Sequence, residues 1–114
     1  MKTKLERTIT ALFFALAAFS CGQLASAETI KTPDIRYATM PGVEPNLLSL
    51  DVHAPKGAKR APVLVFLHGG GWRRGDKVDE GAQSHARFYT AHGWIYVSAN
   101  YRLSPAVTHP AHVE

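Results

Sequence analysis

Two unbroken apolar runs, separated by a segment of helical period, constrain this chain more than any other feature. Pro62 to Leu67 and Trp94 to Ala99 do not alternate in polarity. Continuous β-branched and aromatic runs of this length fit strands covered on both faces, as in a parallel sheet. Between them Val78, Ala82, Ala86 and Tyr89 follow the i, i+4, i+8, i+11 spacing of one helical face. Asp76 is placed to cap that helix, with Asp79 and Glu80 favourable near its positive end. Gly93 supplies the residue that closes it. Strand, helix and strand in this order make a βαβ unit, whose crossover is expected to be right-handed.

The flanking segments are less regular. Ile35 to Ala38 reads as a short strand, and Pro41-Gly42 and Glu44-Pro45-Asn46 mark turns. Leu48, Leu50 and Val52 alternate with Ser49, Asp51 and His53, the period of a half-buried strand near a sheet edge. A last helix is expected to begin near His109-Pro110. Hydrophobic residues make up 46% of the chain and charged residues 19%, which fits a globular class. Of the +4 formal charge, +2 comes from the first ten residues (Lys2, Lys4 and Arg7 against Glu6), and the basic residues after position 30 are scattered apart from Lys59-Arg60 and Arg73-Arg74, with no basic stripe interleaved with aromatics. Nucleic acid is therefore not an expected partner.

Residues 1–27 read as an export signal. Lys2, Lys4 and Arg7 form a positive start, Ile9 to Phe19 carries no charge, and Ala25-Ser26-Ala27 supplies a small-x-small cleavage pattern. The apolar stretch is shorter than the ~20 residues a membrane span needs. The expected product is exported, periplasmic or secreted, and begins at Glu28. Cys21, the chain's one cysteine, follows Ala17-Ala18-Phe19-Ser20 and resembles a permissive lipobox. Lipidation there is the alternative, giving a membrane-anchored lipoprotein.

The chemistry sits in His68-Gly69-Gly70-Gly71-Trp72, directly after the first apolar run. Glycines leave backbone N–H groups unshielded and permit positive φ, so successive N–H groups can converge on one point. A convergent pair of donors is what the oxyanion of a tetrahedral acyl intermediate needs. Between a strand and the following helix, such a loop is the HGGG-type oxyanion loop of lipases and esterases.

Leu50-Asp51-Val52-His53-Ala54-Pro55 is similar to the entry strand of esterases in the α/β-hydrolase superfamily. His68-Gly69-Gly70-Gly71-Trp72 with Gly75-Asp76-Lys77 resembles the branch holding feruloyl-esterase-like and kynurenine-formamidase-like enzymes. Tyr101-Arg102-Leu103-Ser104-Pro105 and His109-Pro110-Ala111-His112 match its next stretch, and the hormone-sensitive-lipase-like branch is the nearest neighbour. The resemblance covers about positions 47–114. It implies an α/β fold, the N-terminal strands of a mostly parallel sheet plus the first helix of an incomplete α/β-hydrolase domain over 28–114. It implies an oxyanion hole among the N–H groups of Gly70, Gly71 and Trp72, without settling which two act. His68, Gly69 and Asp76 would support that loop, His68 as a brace rather than a base. The implied triad runs Ser, Asp or Glu, then His. No G-x-S-x-G occurs, so none of the triad is expected within this chain.

Other candidates have simpler readings. Ser104 is a turn residue before Pro105, while Ser84 and His85 fall on the predicted helix. His109 and His112 lack the further ligands of a zinc site, so no metal is expected. G-x-G-x-x-G fails at Arg74 and no P-loop is present, so neither nucleotide nor any other cofactor is implied. The expected function is hydrolysis of small-molecule carboxylic esters by a serine lying beyond Glu114, with this chain supplying the oxyanion loop. Export favours environmental esters, including plant-derived ones. The alternatives are an arylformamidase-type amide hydrolase, or a truncated, non-catalytic exported product that holds an anion on the same N–H groups. On its own the chain is expected to be inactive and to leave apolar strand faces without cover.

Overall fold

The computed structural model describes residues 28–114. The expected export signal at residues 1–27, with Cys21 inside it, lies outside the described residues. Strand β1 spans Thr29–Arg36 and a 3-10 turn spans Pro45–Leu48. Strand β2 spans Ser49–Pro55, β3 Val63–Leu67, helix α1 Glu80–Ala91 and β4 Ile95–Ala99. They form one four-stranded sheet in the order β1-β2-β4-β3. β3 and β4 run parallel, joined by α1, as the two apolar runs dictate. β1 with β2 and β2 with β4 are antiparallel, so the sheet is mixed. Among the described residues no helix is long and apolar enough to cross a membrane.

β1 begins six residues before the expected Ile35 (35 − 29) and ends before Tyr37. Its register breaks between Thr32 and Ile35, and Asp34 takes φ +56° there. Pro33 stands at this break and cannot donate to a ladder. A bulge on the outer strand accommodates it.

The period of two in β2 is present, but its faces are the reverse of a simple hydrophobic reading. Ser49, Asp51, His53 and Pro55 are buried, whereas Leu50, Val52 and Ala54 are half-buried. The polar face is the one covered by α1 and the segment that leads into it. There the Lys77 ammonium, itself buried, lies 2.7 Å from Asp51 and 2.7 Å from Asp34. Lys31 reaches the other Asp51 oxygen at 2.8 Å.

The opposite sheet face is apolar and open. Val63, Val65 and Leu67 are 55%, 63% and 61% exposed, so β3 is covered on one side only. In register beside them stand Ile95, Val97 and Ala99 of β4, with Val52 beyond. Towards α1, Phe66 meets His85 at 5.2 Å between ring centroids, and Tyr89 stacks on Tyr96 at 6.0 Å.

Helix α1 buries Ala82, Ala86 and Thr90. Val78, expected on that face, precedes the helix and is exposed. Asp79 holds the N-cap position, not Asp76, and its carboxylate accepts from the Asp76 N–H at 3.0 Å. At the other end Gly93 takes φ +83°, donating to Thr90 while Trp94 donates to Tyr89. This paired closure is a Schellman motif, which needs a left-handed residue where glycine stands. The helix expected near His109 is instead a series of turns, closed by Ala111 on Thr108 and Val113 on Pro110.

Burial pushes the Asp51 carboxyl up, but the hydrogen bonds from Lys31, Lys77 and the Asp34 N–H outweigh it and hold the pKa below its ordinary value. The stability this gives is present above the ordinary carboxylate range. It is lost as pH falls through the depressed native value. Removing one partner of a buried pair strands the other charge. We expect Lys77→Met to cost about 3–5 kcal/mol in denaturant unfolding of the intact protein. The difference from the parent should shrink as the medium is acidified and Asp51 protonates. A loss below about 1 kcal/mol at neutral pH would contradict this role for Lys77.

Candidate functional site: the glycine loop after strand β3

The chain leaves β3 at Leu67 and does not enter α1 until Glu80. Within that loop Gly70, Gly71 and Trp72 take φ of +124°, +62° and +58° in succession, and Gly75 takes +111°. Two glycines are required by space as well as by backbone angle. A Cβ on Gly70 would stand 2.0 Å from the Arg74 carbonyl oxygen, and one on Gly75 would stand 2.2 Å from His68 Nδ1. Trp72 holds its left-handed conformation without being glycine, a strain of order 1–3 kcal/mol that surrounding contacts must sustain.

Those contacts bind the loop's carbonyls. Tyr101 Oη donates to the His68 carbonyl at 2.7 Å. His68 Nδ1 lies 2.8 Å from the Gly69 carbonyl, which can only accept, so Nδ1 carries the proton. Arg73 N–H donates to Gly70 at 3.3 Å, and Ser104 N–H donates to Trp72 at 2.7 Å. In a trans peptide the N–H points opposite to the C=O. Binding the carbonyls of His68, Gly69 and Gly70 thus also fixes the directions of the Gly69, Gly70 and Gly71 N–H groups. Among the described residues the N–H groups of Gly70, Gly71 and Trp72 donate to no partner.

A cleft of about 690 Å³ opens beside the loop, lined among others by Tyr37, Met40, His68, Gly71, Trp72 and His112. Gly69 also lines it, and Gly70 links these two lining glycines. Trp72 is 55% exposed, so its indole forms part of the wall rather than the core. His68 is buried and stacks on Tyr101, with ring centroids 4.5 Å apart and planes within 17°.

Asp76 stands behind the loop. One carboxylate oxygen accepts from Asn46 at 2.9 Å and from Asn100 at 3.2 Å, while the other accepts from the Val78 N–H at 3.1 Å. Burial raises its pKa, but these bonds and the nearby Lys77 charge more than offset that and lower it. Buried Asn100 accepts from the Lys77 N–H at 2.6 Å, and Ser98 Oγ donates to the Lys77 carbonyl at 2.8 Å. Lys77, Asn100 and the Tyr101 hydroxyl carry no catalytic motif, and sequence reasoning passed over their roles. The only signal was their place in Gly75-Asp76-Lys77 and in the stretch after β4.

Ser104 and His112 come together, with Oγ 3.0 Å from Nε2. Ser104 Oγ is also 3.0 Å from the Val107 carbonyl, which takes its only proton. His112 Nε2 must then be a donor to Ser104, the reverse of a base activating a nucleophile. Ser84 lies exposed on α1, and His85 packs against Phe66.

The sequence model of the BD-FAE family matches residues 50–114, more than half of the chain. The chain belongs to the BD-FAE family. Esterase LipQ of Mycobacterium tuberculosis is 40% identical to this BD-FAE chain over 87 residues, 73% of this chain and 19% of the relative. Esterase LipC of the same organism is 30% identical over 93 residues, 82% of this chain and 22% of the relative. The chain thus spans about a fifth of the length of these curated relatives. Among solved structures, esterase B from Lactobacillus rhamnosis aligns with a TM-score of 0.60 at 23% identity, covering 76% of this chain and 27% of that one. A truncated carbohydrate esterase from gut microbiota aligns with a TM-score of 0.60 at 20% identity, covering 77% and 30%. The mixed sheet with its one helix therefore corresponds to part of the fold of these α/β-hydrolase esterases.

Gly75→Ala tests the packing of the loop of this BD-FAE chain. The added methyl group cannot coexist with the His68 ring in its present place. We expect a loss of about 1–3 kcal/mol in thermal or denaturant unfolding, with altered near-ultraviolet dichroism from Tyr101. Gly42→Ala is the matched control, since its φ is also positive at +74° and a Cβ there meets nothing. Equal costs at the two positions would contradict the close approach.

Proposed function

We propose that this chain supplies the oxyanion-binding loop of a serine hydrolase that cleaves carboxylic esters of small molecules. The observation that carries this reading is the glycine loop itself. The carbonyls of His68, Gly69, Gly70 and Trp72 are bound on the protein side, and among the described residues consecutive N–H groups are left without partners beside an apolar cleft. Such donors cost no reorganisation when negative charge develops on a carbonyl oxygen, which is the source of their catalytic effect. The relatives named as esterases support the same reading.

Gly70 and Gly71 are the pair we assign as donors. Both follow peptide units whose carbonyls are bound, that of Gly69 by His68 and that of Gly70 by Arg73. Trp72 follows the Gly71 carbonyl, which has no partner among the described residues, so its N–H is the least constrained of the three. His68 acts through the Gly69 carbonyl, and Gly69 provides that acceptor. Asp76 braces the far side of the loop. The nucleophilic serine, the acid and the catalytic histidine would come from polypeptide outside this chain. The serine would form an acyl intermediate, released by water in a second step. Residues 1–27 would direct the product to export, with cleavage after Ala27.

The test compares two proteins on a short-chain chromogenic ester. The full-length gene product should turn over and should be labelled by a serine-directed phosphonate. The 114-residue chain alone should do neither. Absence of turnover by the full-length product would remove the ester reading. Phosphonate labelling of the short chain would place the nucleophile inside it and overturn the division of labour.

A further inference from the structure

The stretch that follows β4 holds both ends of the glycine loop. Tyr101 Oη donates to the His68 carbonyl at 2.7 Å, at the loop's start. Ser104 N–H donates to the Trp72 carbonyl at 2.7 Å, at its end. The Tyr101 ring also lies against the His68 ring, at 4.5 Å between centroids and 17° between planes. One tyrosine therefore makes two separable contacts, a stack on the imidazole and a hydrogen bond to the backbone.

We propose that Tyr101 is a positioning residue for the oxyanion loop, acting through the His68 carbonyl to set the first peptide plane of the glycine run; this rests on the ester reading given above. The bond turns the His68 carbonyl towards the phenol, and so turns the Gly69 N–H to the opposite side. Gly69 can rotate freely on either side of its Cα, having no Cβ to limit it. Without a fixed first plane, the planes that carry the Gly70 and Gly71 N–H groups are held only by the His68 Nδ1 and Arg73 N–H bonds, from a start that is no longer set. The stack holds the imidazole, whose Nδ1–H in turn holds the Gly69 carbonyl. Tyr101 thus governs two consecutive planes, one by its hydroxyl and one through its ring. Burial raises the Tyr101 pKa, so the phenol keeps the proton it donates.

Tyr101→Phe removes the hydroxyl and leaves the ring to stack, so the fold and the cleft wall persist. In the full-length protein we expect kcat on a short-chain ester to fall about tenfold with KM within twofold, the worth of one ordinary hydrogen bond spent on orientation. The melting midpoint should move little. Tyr101→Leu, which removes the stack as well, should lose more in kcat. In protein with carbonyl-labelled His68, the resonance should move upfield on Tyr101→Phe as the bond is lost.

A variant with unchanged kcat in an active parent would overturn the proposal, as would a rise in KM alone. A fall in melting midpoint matched by no kinetic change would make the tyrosine purely structural and also overturn it. If the parent itself shows no ester turnover, the ester reading fails. The clamp is then judged on the His68 carbonyl resonance, and an unmoved resonance overturns it.

Discussion

A lysine ammonium out of water, held between two aspartates, fixes where everything after the glycine loop must lie. Lys77 reaches Asp51 on β2 and Asp34 at the β1 bulge through its side chain. Both of its backbone groups are bound to β4 or its end, the N–H by Asn100 and the carbonyl by Ser98. One residue is thereby tied to three strands. Buried pairs of this kind add little net stability compared with apolar packing, yet breaking one is expensive. What this pair contributes is position. With Lys77 pinned, Gly75 is brought against His68, and the chain between them closes into the loop with its positive φ angles. The strain at Trp72 is sustained by the same enclosure, with Ser104 on its carbonyl.

The sheet divides its work between two faces. One carries Ser49, Asp51, His53, Tyr96 and Ser98 and is covered by α1 and the Lys77 segment, with Asp51 and Ser98 bound by Lys77. The other carries Val52, Val63, Val65, Leu67, Ile95 and Val97 and is open among the described residues. The glycine loop leaves the sheet at Leu67, next to this open face and above the cleft. A loop that presents N–H groups at such an edge can serve a reacting group carried by polypeptide packed on the same sheet. The relatives, of which the matched part of this chain covers 22% and 19%, have the length to provide it.

Much of this was legible from pattern alone. The βαβ unit followed from two unbroken apolar runs around a segment of helical period. The glycine loop followed from its place after the first run, and Gly93 from its place after the helix. What was not legible depended on partners distant in the chain. Period two in β2 was plain, but nothing local shows that Asp51 faces inward, because the lysine that repays its burial comes after the next strand. β1 starts well before the expected Ile35 and runs across Pro33, because an outer strand with a bulge tolerates proline. Val78 kept the helical period yet lies in the turn that Asp76 and Asp79 close between them. The roles of Tyr101 and Asn100 are invisible for a similar reason, since each acts on a backbone group of a segment that sequence spacing does not bring near.

In the proposed reaction the N–H groups of the glycine loop receive the oxyanion. The most direct measurement is a crystal structure of the full-length protein carrying a covalent phosphonate on its nucleophile. The phosphoryl oxygen is expected within about 3 Å of the Gly70 and Gly71 nitrogens, with the Tyr101 and His68 bonds intact. A phosphoryl oxygen held by other donors, with the glycine loop turned away from it, would contradict the account.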